Sequence, residues 1–410
     1  MTSPAAIIRR TFAAFGVHNF RLYFAGQVVS VSGAWMQRVA QSWLVLELTG
    51  SGAAVGALTA VQFLPILLLA PLGGLVADRV DKRRVLYITQ VLAAAIALAL
   101  GALVLSETVE LWMVFVLAGA LGVVGSFNNP ARQTFVMEMV GRSRLTNAVA
   151  LNSVLVNSAR IIGPAIGGLL IVTVGIGWCF VLNAFSYVIF IAALAMMRTD
   201  EIQRAEPESG GRGQLRQALH YVRGEPVLLA TLVASAIFGL LAYEFEVVLP
   251  IFARFTFGGD ADTFGTMFAA MGFGAVIGGL WVASRHTTRP RDILYACYAL
   301  AVAITMTALA PSVLLAHMTL VLVGASSTAF LTLSNSVLQL QADPRMRGRV
   351  LGLRAMAVLG ARPIGGPIVG WIGDHFGPRY SLAVGAVACI GVALWAGRRF
   401  TVSGEPAPAR

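Results

Sequence analysis

The sequence predicts an all-α integral membrane protein, with twelve transmembrane helices in two pseudo-symmetric bundles of six. Three observations carry that expectation. The 410 residues are 57% hydrophobic and 12% charged, with a mean hydropathy of +0.78; soluble domains carry roughly 25% charged residues. The apolar residues fall in runs of about 20 or more, the length a helix needs to cross a bilayer. Irregular backbone has no place against lipid, so each run reads as a helix. The chain also repeats itself: two phrases of its first half recur, in the same order, near offsets 202 and 206.

The runs lie near 20–47, 52–77, 84–106, 110–134, 146–174 and 177–197, then 226–256, 263–284, 292–310, 313–340, 349–373 and 379–399. Alternate connections are basic. They hold Arg9, Arg10 and Arg21; Arg79, Lys82, Arg83 and Arg84; Arg142 and Arg144; the arginines of 198–223; Arg285, Arg289 and Arg291; Arg345, Arg347 and Arg349; and Arg398 and Arg399. The others hold Glu47, Glu107, Glu110, Asp260, Asp262 and Asp374, with Arg379 their clear cation. Short Lys/Arg-rich connections stay in the cytoplasm. The expected placement is therefore multi-pass in the cytoplasmic (inner) membrane with both termini inside. "IRRTF" near the start precedes a stretch interrupted by His18, Asn19 and Arg21, and reads as a short cytoplasmic leader, not a cleaved signal.

The longest polar connection, 198–225, passes through Pro and Gly and ends in "QLRQALHYVR", a linker with a short amphipathic helix on the membrane surface. It divides the chain into an N-terminal bundle (1–197), a C-terminal bundle (226–400) and a tail (401–410).

Several function classes drop out. The net charge of +11 sits in short breaks between apolar runs, the mark of membrane topology and not of a nucleic-acid-binding face. Cys179, Cys297 and Cys389 lie singly in apolar runs, and the histidines are scattered, so no metal site, disulfide framework or cofactor is expected. No nucleophile motif, H-E-x-x-H or P-loop occurs; the chain is expected to be no enzyme and to draw its energy from something other than ATP.

The end of the second run reads "GGLVADRVDKRR". Gly73 and Gly74 let a neighbouring helix approach, as small residues do in membranes. Asp78 follows one turn after Gly74, where a carboxylate can meet a helix dipole or an arginine. The counterpart, "GGLWVASRHTTRPR", keeps Arg285 over Arg79 but has Ser284 where Asp78 stands. This segment resembles the cytoplasmic signature of the major facilitator superfamily, G-x-x-x-D-R-x-G-[RK]-[RK]-[RK], with Asp81 at the second glycine. The resemblance covers nearly the whole chain and implies the major facilitator fold. It further implies a conformational latch in which Gly74, Asp78, Arg79 and Arg83 take part, Asp78 as the latch acid.

The stretch "NNPARQTFVMEMVGRSRLTNAVALNSVLVNSARIIGPAIGGLL" is similar to the exporter branch that includes enterobactin and macrolide exporters. Within it Gly163, Pro164, Gly167 and Gly168 match the "GPxxGG" element associated with antiporters; a packed, kinked helix without a coupling role is the alternative. The branch implies export of amphipathic drug-like compounds or siderophores, with protons as coupling partner. An importer or lysolipid flippase on the same frame, and a non-transporting membrane sensor or assembly protein, stand as alternatives. Nothing in the sequence asks for more than a monomer.

Ionisable residues within spans are costly and are candidates for function. Arg38 lies in the first run, Glu244 and Glu246 in the seventh, and Arg160 and Arg362 at matching places in the fifth and eleventh. An offset of 206 lays Arg38 over Glu244. We expect Arg38 to pair with Glu244 or Glu246 across the cavity in at least one state and one of these carboxylates to carry the coupling proton. At 100° per residue only one of the two faces the cavity. Aromatics with scattered amides suit amphipathic cargo, and Gln27, Trp35, Gln41, Gln62, Asn128, Tyr243, Phe245 and Asn335 are the candidate cavity residues.

Overall fold

The structure, a computed structural model, describes residues 12–203, 214–285 and 287–402. Arg9 and Arg10 of the expected leader, 204–213 of the linker and the tail beyond 402 lie outside the described residues.

The helices are α1 His18–Thr49, α2 Gly52–Arg79, α3 Lys82–Leu105, α4 Leu111–Gly141, α5 Arg144–Thr173, α6 Ile176–Ala195 and α7 Gln214–Gly224. They continue as α8 Pro226–Ile237, α9 Phe245–Phe257, α10 Ala261–Ala283, α11 Pro290–Ala308, α12 Val313–Gln341, α13 Arg347–Leu359, α14 Arg362–Phe376 and α15 Pro378–Val402. α8 and α9 together form the seventh span, and α13 and α14 the eleventh. Eleven spans among the described residues are apolar and long enough to cross a bilayer. α1, with 32 residues, has the length but is more polar, carrying Gln27, Gln37, Arg38 and Gln41; with it the helices match the twelve runs expected from the sequence. Many large apolar side chains point outward, Leu68, Leu169 and Val387 among them. Such a surface suits lipid and not water.

Local chemistry sets the helix ends. Asp81 caps α3, its carboxylate accepting the Arg84 N–H at 3.2 Å. This gives the residue that departs from the superfamily pattern a structural role. Gly141, at φ +68°, separates α4 from α5 in a conformation that favours glycine. Proline opens α8, α11 and α15, where its missing N–H costs nothing.

Two compact units divide the chain: Met1–Leu44 with Leu64–Ser209, and Val45–Phe63 with Gly210–Arg410. The end of α1 and the first half of α2 thus pack within the second unit. In the first unit, Asn183 of α6 donates to Gln37 of α1 at 2.5 Å, and a Cβ at Gly33 would run into Asn183 and Ser186. In the second, Cβ atoms at Gly274, Gly278 and Gly324 would overlap the Val321, Ala325 and Met271 carbonyls, so α10 and α12 touch backbone to backbone. That close packing is how helices associate where burial from water supplies no drive.

The linker helix α7 uses its apolar face against protein. Ala218 and Val222 are buried with Leu228, Leu338 and Val350. Tyr221 Oη accepts the Asp343 N–H at 3.0 Å, and Arg349 donates to Gln217 at 2.9 Å. The narrow Ala/Tyr/Val face of α7 is covered by α8, α12 and α13.

Candidate functional site

The seventh and eleventh spans are both discontinuous, and their breaks meet. A π-turn, Phe238–Ala242, follows α8, and Tyr243 and Glu244 leave helical geometry before α9 begins. The eleventh span breaks at Gly360–Ala361, and Pro363 sits in the first turn of α14. Glycines allow the contact. A Cβ at Gly239 would lie 2.8 Å from Val358 Cα, and one at Gly365 would overlap the Leu240 carbonyl oxygen.

Three charges occupy this junction. Arg362, in the first turn of α14, donates through Nε to Glu244 Oε1 and through Nη1 to Glu246 Oε1, both at 3.4 Å. All three are buried, at 3%, 1% and 8% exposure. Within the second unit a cation that holds the two carboxylates is Arg362. Both glutamates reach Arg362. The chain between α8 and α9 is not a continuous α-helix, so a uniform 100° step does not carry across it. Two carboxylates with one guanidinium is a costly group to bury unless a proton or a further contact balances it.

From Arg362 one face of α14 runs along α2, four residues at a time. The guanidinium carbon lies 4.2 Å from the centroid of the Phe63 ring, within cation–π range. One turn on, Gly366 fits between Gly56 and Thr59, and a Cβ at Gly56 would overlap the Gly366 carbonyl. Another turn on, a Cβ at Gly370 would overlap the Gly52 carbonyl. Asp374 completes the row at the N-terminus of α2. It accepts from Ser51 Oγ at 2.6 Å, Gly52 N at 2.5 Å and Ala53 N at 2.9 Å. A carboxylate there takes up N–H groups that no intrahelical carbonyl can reach and faces the positive end of the helix dipole.

In the first unit, the basic end is built around the motif. A Cβ at Gly73 would overlap the Ser126 carbonyl, so α2 and α4 touch there, while one at Gly74 would meet nothing within 4 Å. Asp78 and Arg79 are exposed in the last turn of α2. Arg83 donates to the Leu194 and Ala195 carbonyls at 2.9 and 3.2 Å, closing the C-terminal end of α6. Lys82, the only lysine of the chain, is buried against Glu138 of α4 at 2.7 Å. The antiporter-type element lies against α1. A Cβ at Gly163 would lie 2.6 Å from Trp35 Cβ, and one at Gly167 would lie 3.2 Å from the Met36 carbonyl oxygen. Pro164 and Gly168 are buried beside them. Arg38 and Arg160 both approach the Trp35 ring, at 4.5 and 5.1 Å from its centroid.

Of the candidate cavity residues, Gln27, Gln41 and Phe245 are buried, and Trp35, Gln62, Asn128, Tyr243 and Asn335 are half-buried. Gln27 accepts from Arg132 at 3.3 Å. Tyr243 stacks between Phe238 and Phe245, with ring centroids 5.0 and 6.2 Å away. Asp374 and Glu138 were not among the candidate site residues. Neither spacing nor the repeat marks them, because their partners lie 323 and 56 positions away, as 374 − 51 and 138 − 82.

A helical membrane protein whose halves repeat in sequence, with discontinuous spans that carry buried charge, has the build of a secondary transporter. The chain belongs to the major facilitator superfamily, in its transmembrane secretion effector family (MFS_3), whose model matches residues 9–405. It is 29% identical over 351 residues to the multidrug efflux pump Tap of Mycolicibacterium fortuitum, covering 83% of this chain and 85% of that protein. It is 25% identical over 263 residues to a staphyloferrin A transporter of Staphylococcus aureus, covering 63% and 65%. It is 20% identical over 389 residues to macrolide efflux protein A of Streptococcus pyogenes, covering 92% and 96%. In fold it is similar to the inward-facing, unoccupied structure of a bacterial homologue of the human lysosomal transporter Spinster. That likeness has a TM-score of 0.75 at 14% identity, over 96% of this chain and 99% of the other.

Proposed function

We propose that this chain is a proton-coupled antiporter that exports amphipathic small molecules, drug-like compounds or siderophores, across the cytoplasmic membrane by alternating access. Relatives named as efflux pumps and as a siderophore transporter support the cargo class. The observation that carries the coupling is the Arg362–Glu244–Glu246 group at the facing breaks of the seventh and eleventh spans. One cation and two carboxylates are neutral together with one proton bound. Glu244 Oε2 is buried with no hydrogen-bond partner among the described residues, and it offers a place for that proton.

In this reading residues 1–197 and 226–400 are the two moving bundles, 198–225 joins them, and both termini and the tail 401–410 are cytoplasmic. The protein works as a monomer. Gly74, Asp78, Arg79 and Arg83 form the latch at the cytoplasmic end. An acid in the last turn of a helix faces the negative end of its dipole, so Asp78 is unfavourable for α2 alone and gains from another positive partner. Gly163, Pro164, Gly167 and Gly168 shape α5 where it bears on α1.

The test is uptake of a panel of fluorescent amphipathic compounds into inverted membrane vesicles with an imposed pH gradient. Export predicts accumulation when the vesicle interior is acidic and its loss with a protonophore. The Glu244→Gln/Glu246→Gln variant should lose gradient-driven accumulation but keep exchange of cargo for cargo. Gradient-driven movement out of the vesicles identifies an importer. Unchanged accumulation in the double variant removes the glutamates from coupling.

A further inference from the structure

Three arginines from three separate connections of the first unit converge on one cavity. Its volume is about 570 Å³, and its walls include His18 and Arg21 at the start of α1, Arg144 at the start of α5, and Arg198 with Glu201 just after α6. Basic connections set topology wherever they lie on the cytoplasmic side. Topology does not require their guanidinium groups to gather around one space, and like charges brought together repel.

The walls are tied in place. The Asn19 side chain donates to the Arg198 carbonyl at 2.8 Å and accepts the Arg198 N–H at 2.9 Å. Gln203 N donates to the Glu138 carbonyl at 2.9 Å. Ala14 N donates to Asn147 at 2.8 Å. Gly141, at φ +68°, packs beside the Gln203 side chain of the wall.

Among the described residues the charge on the walls is unbalanced: Glu201 is their only carboxylate, and it is 3.0 Å from Arg198. Glu138 turns its carboxylate to Lys82. Among the described residues no carboxylate pairs with Arg21 or Arg144. Arg144 Nη1 reaches the turn just before α1, within 3.9 Å of where a Gly16 Cβ would be. There it meets the positive end of the α1 dipole, a second reason for an anion to settle between them.

We propose that this cavity is a binding site for a phosphate-bearing anion, and that its occupant is the headgroup of an anionic phospholipid. The cavity lies at the starts of α1 and α5 and the end of α6, and apolar spans long enough to cross a bilayer have headgroups at their ends. Basic pockets between transmembrane helices on the cytoplasmic side suit such headgroups. Its volume exceeds what a bare phosphate ion fills and has room for a glycerophosphate.

The full chain in detergent, mixed with phosphatidylglycerol and phosphatidylethanolamine, is examined by native mass spectrometry for retained lipid. The wild type should hold phosphatidylglycerol in preference to phosphatidylethanolamine. Arg21→Gln/Arg144→Gln should weaken that retention roughly fivefold for each arginine removed. Arg398→Gln/Arg399→Gln, which removes the same charge from α15, should leave it unchanged. Equal loss in both variants would reduce the effect to general surface charge, and undiminished retention in the first would remove the site; either overturns the proposal. Displacement of the lipid by millimolar inorganic phosphate would assign the cavity to a free anion and overturn the lipid reading. Because the readout is lipid retention, failure of the export reading leaves this result untouched.

Discussion

Arg362 donates one hydrogen bond to Glu244 and another to Glu246, so a residue at the start of α14 holds the cap and the first turn of α9. Arg362→Leu leaves two buried carboxylates without their cation. We expect a loss of about 3–5 kcal/mol in stability, the usual effect of removing one partner of a buried pair. Protons neutralise the orphaned carboxylates, so the deficit should shrink as the pH falls. Thermal unfolding in detergent at a series of pH values checks both the size and the sign.

Asp374 should act as a releasable cap on α2. Asp374→Asn keeps the shape but loses the charge, at a cost of about 1 kcal/mol to the contact. Spin labels at Leu48 and Phe376, both exposed near this contact, should show a distance distribution shifted to longer values. An unchanged distribution means that the glycine row alone holds α2 to α14.

The two glycines that open the basic motif should behave differently. Gly73→Ala forces a methyl into the Ser126 carbonyl and should cost about 1–3 kcal/mol, as overpacking does. Gly74→Ala has open space, and its better helix propensity should leave stability equal or up to about 1 kcal/mol higher. Melting temperatures of the two single variants decide it. Should Gly74→Ala melt normally yet transport slowly, Gly74 serves the latch and not the fold.

Asp78→Asn should leave the melting temperature within a degree or two, since the side chain is exposed and a few tenths of a kcal/mol are at stake. Its effect should fall on vesicle transport rate. A normal rate removes the latch role from Asp78 and leaves the segment with topology alone.

Much of the fold was legible because bilayer helices write themselves as apolar runs. The run at 313–340 became α12, Val313–Gln341, and the basic connections fell where the helices end. The breaks in the seventh and eleventh spans were not read, although Gly360 and Pro363 mark one of them. A proline after an apolar run disfavours helix at the residue before it, yet inside so hydrophobic a stretch the run length outweighed the signal. The ion group was half legible. Intramembrane charge singled out Glu244, Glu246 and Arg362, but the symmetry argument did not bring Arg362 beside the two glutamates. Symmetry compares equivalent positions, whereas contact depends on which helices are neighbours, and α14 lies beside the α8–α9 break.

Lys82 sits 8% exposed against Glu138, at the junction of α3 and α4, in a chain that has no other lysine. Amine-directed chemistry on lysine therefore has a single address, and that address is shielded. A reagent that acylates lysine should pass over the resting protein and modify Lys82 only when α3 and α4 part at their basic ends. The pair thus supplies a built-in chemical reporter, read by peptide mass without an engineered label, of how often that junction opens during a transport cycle.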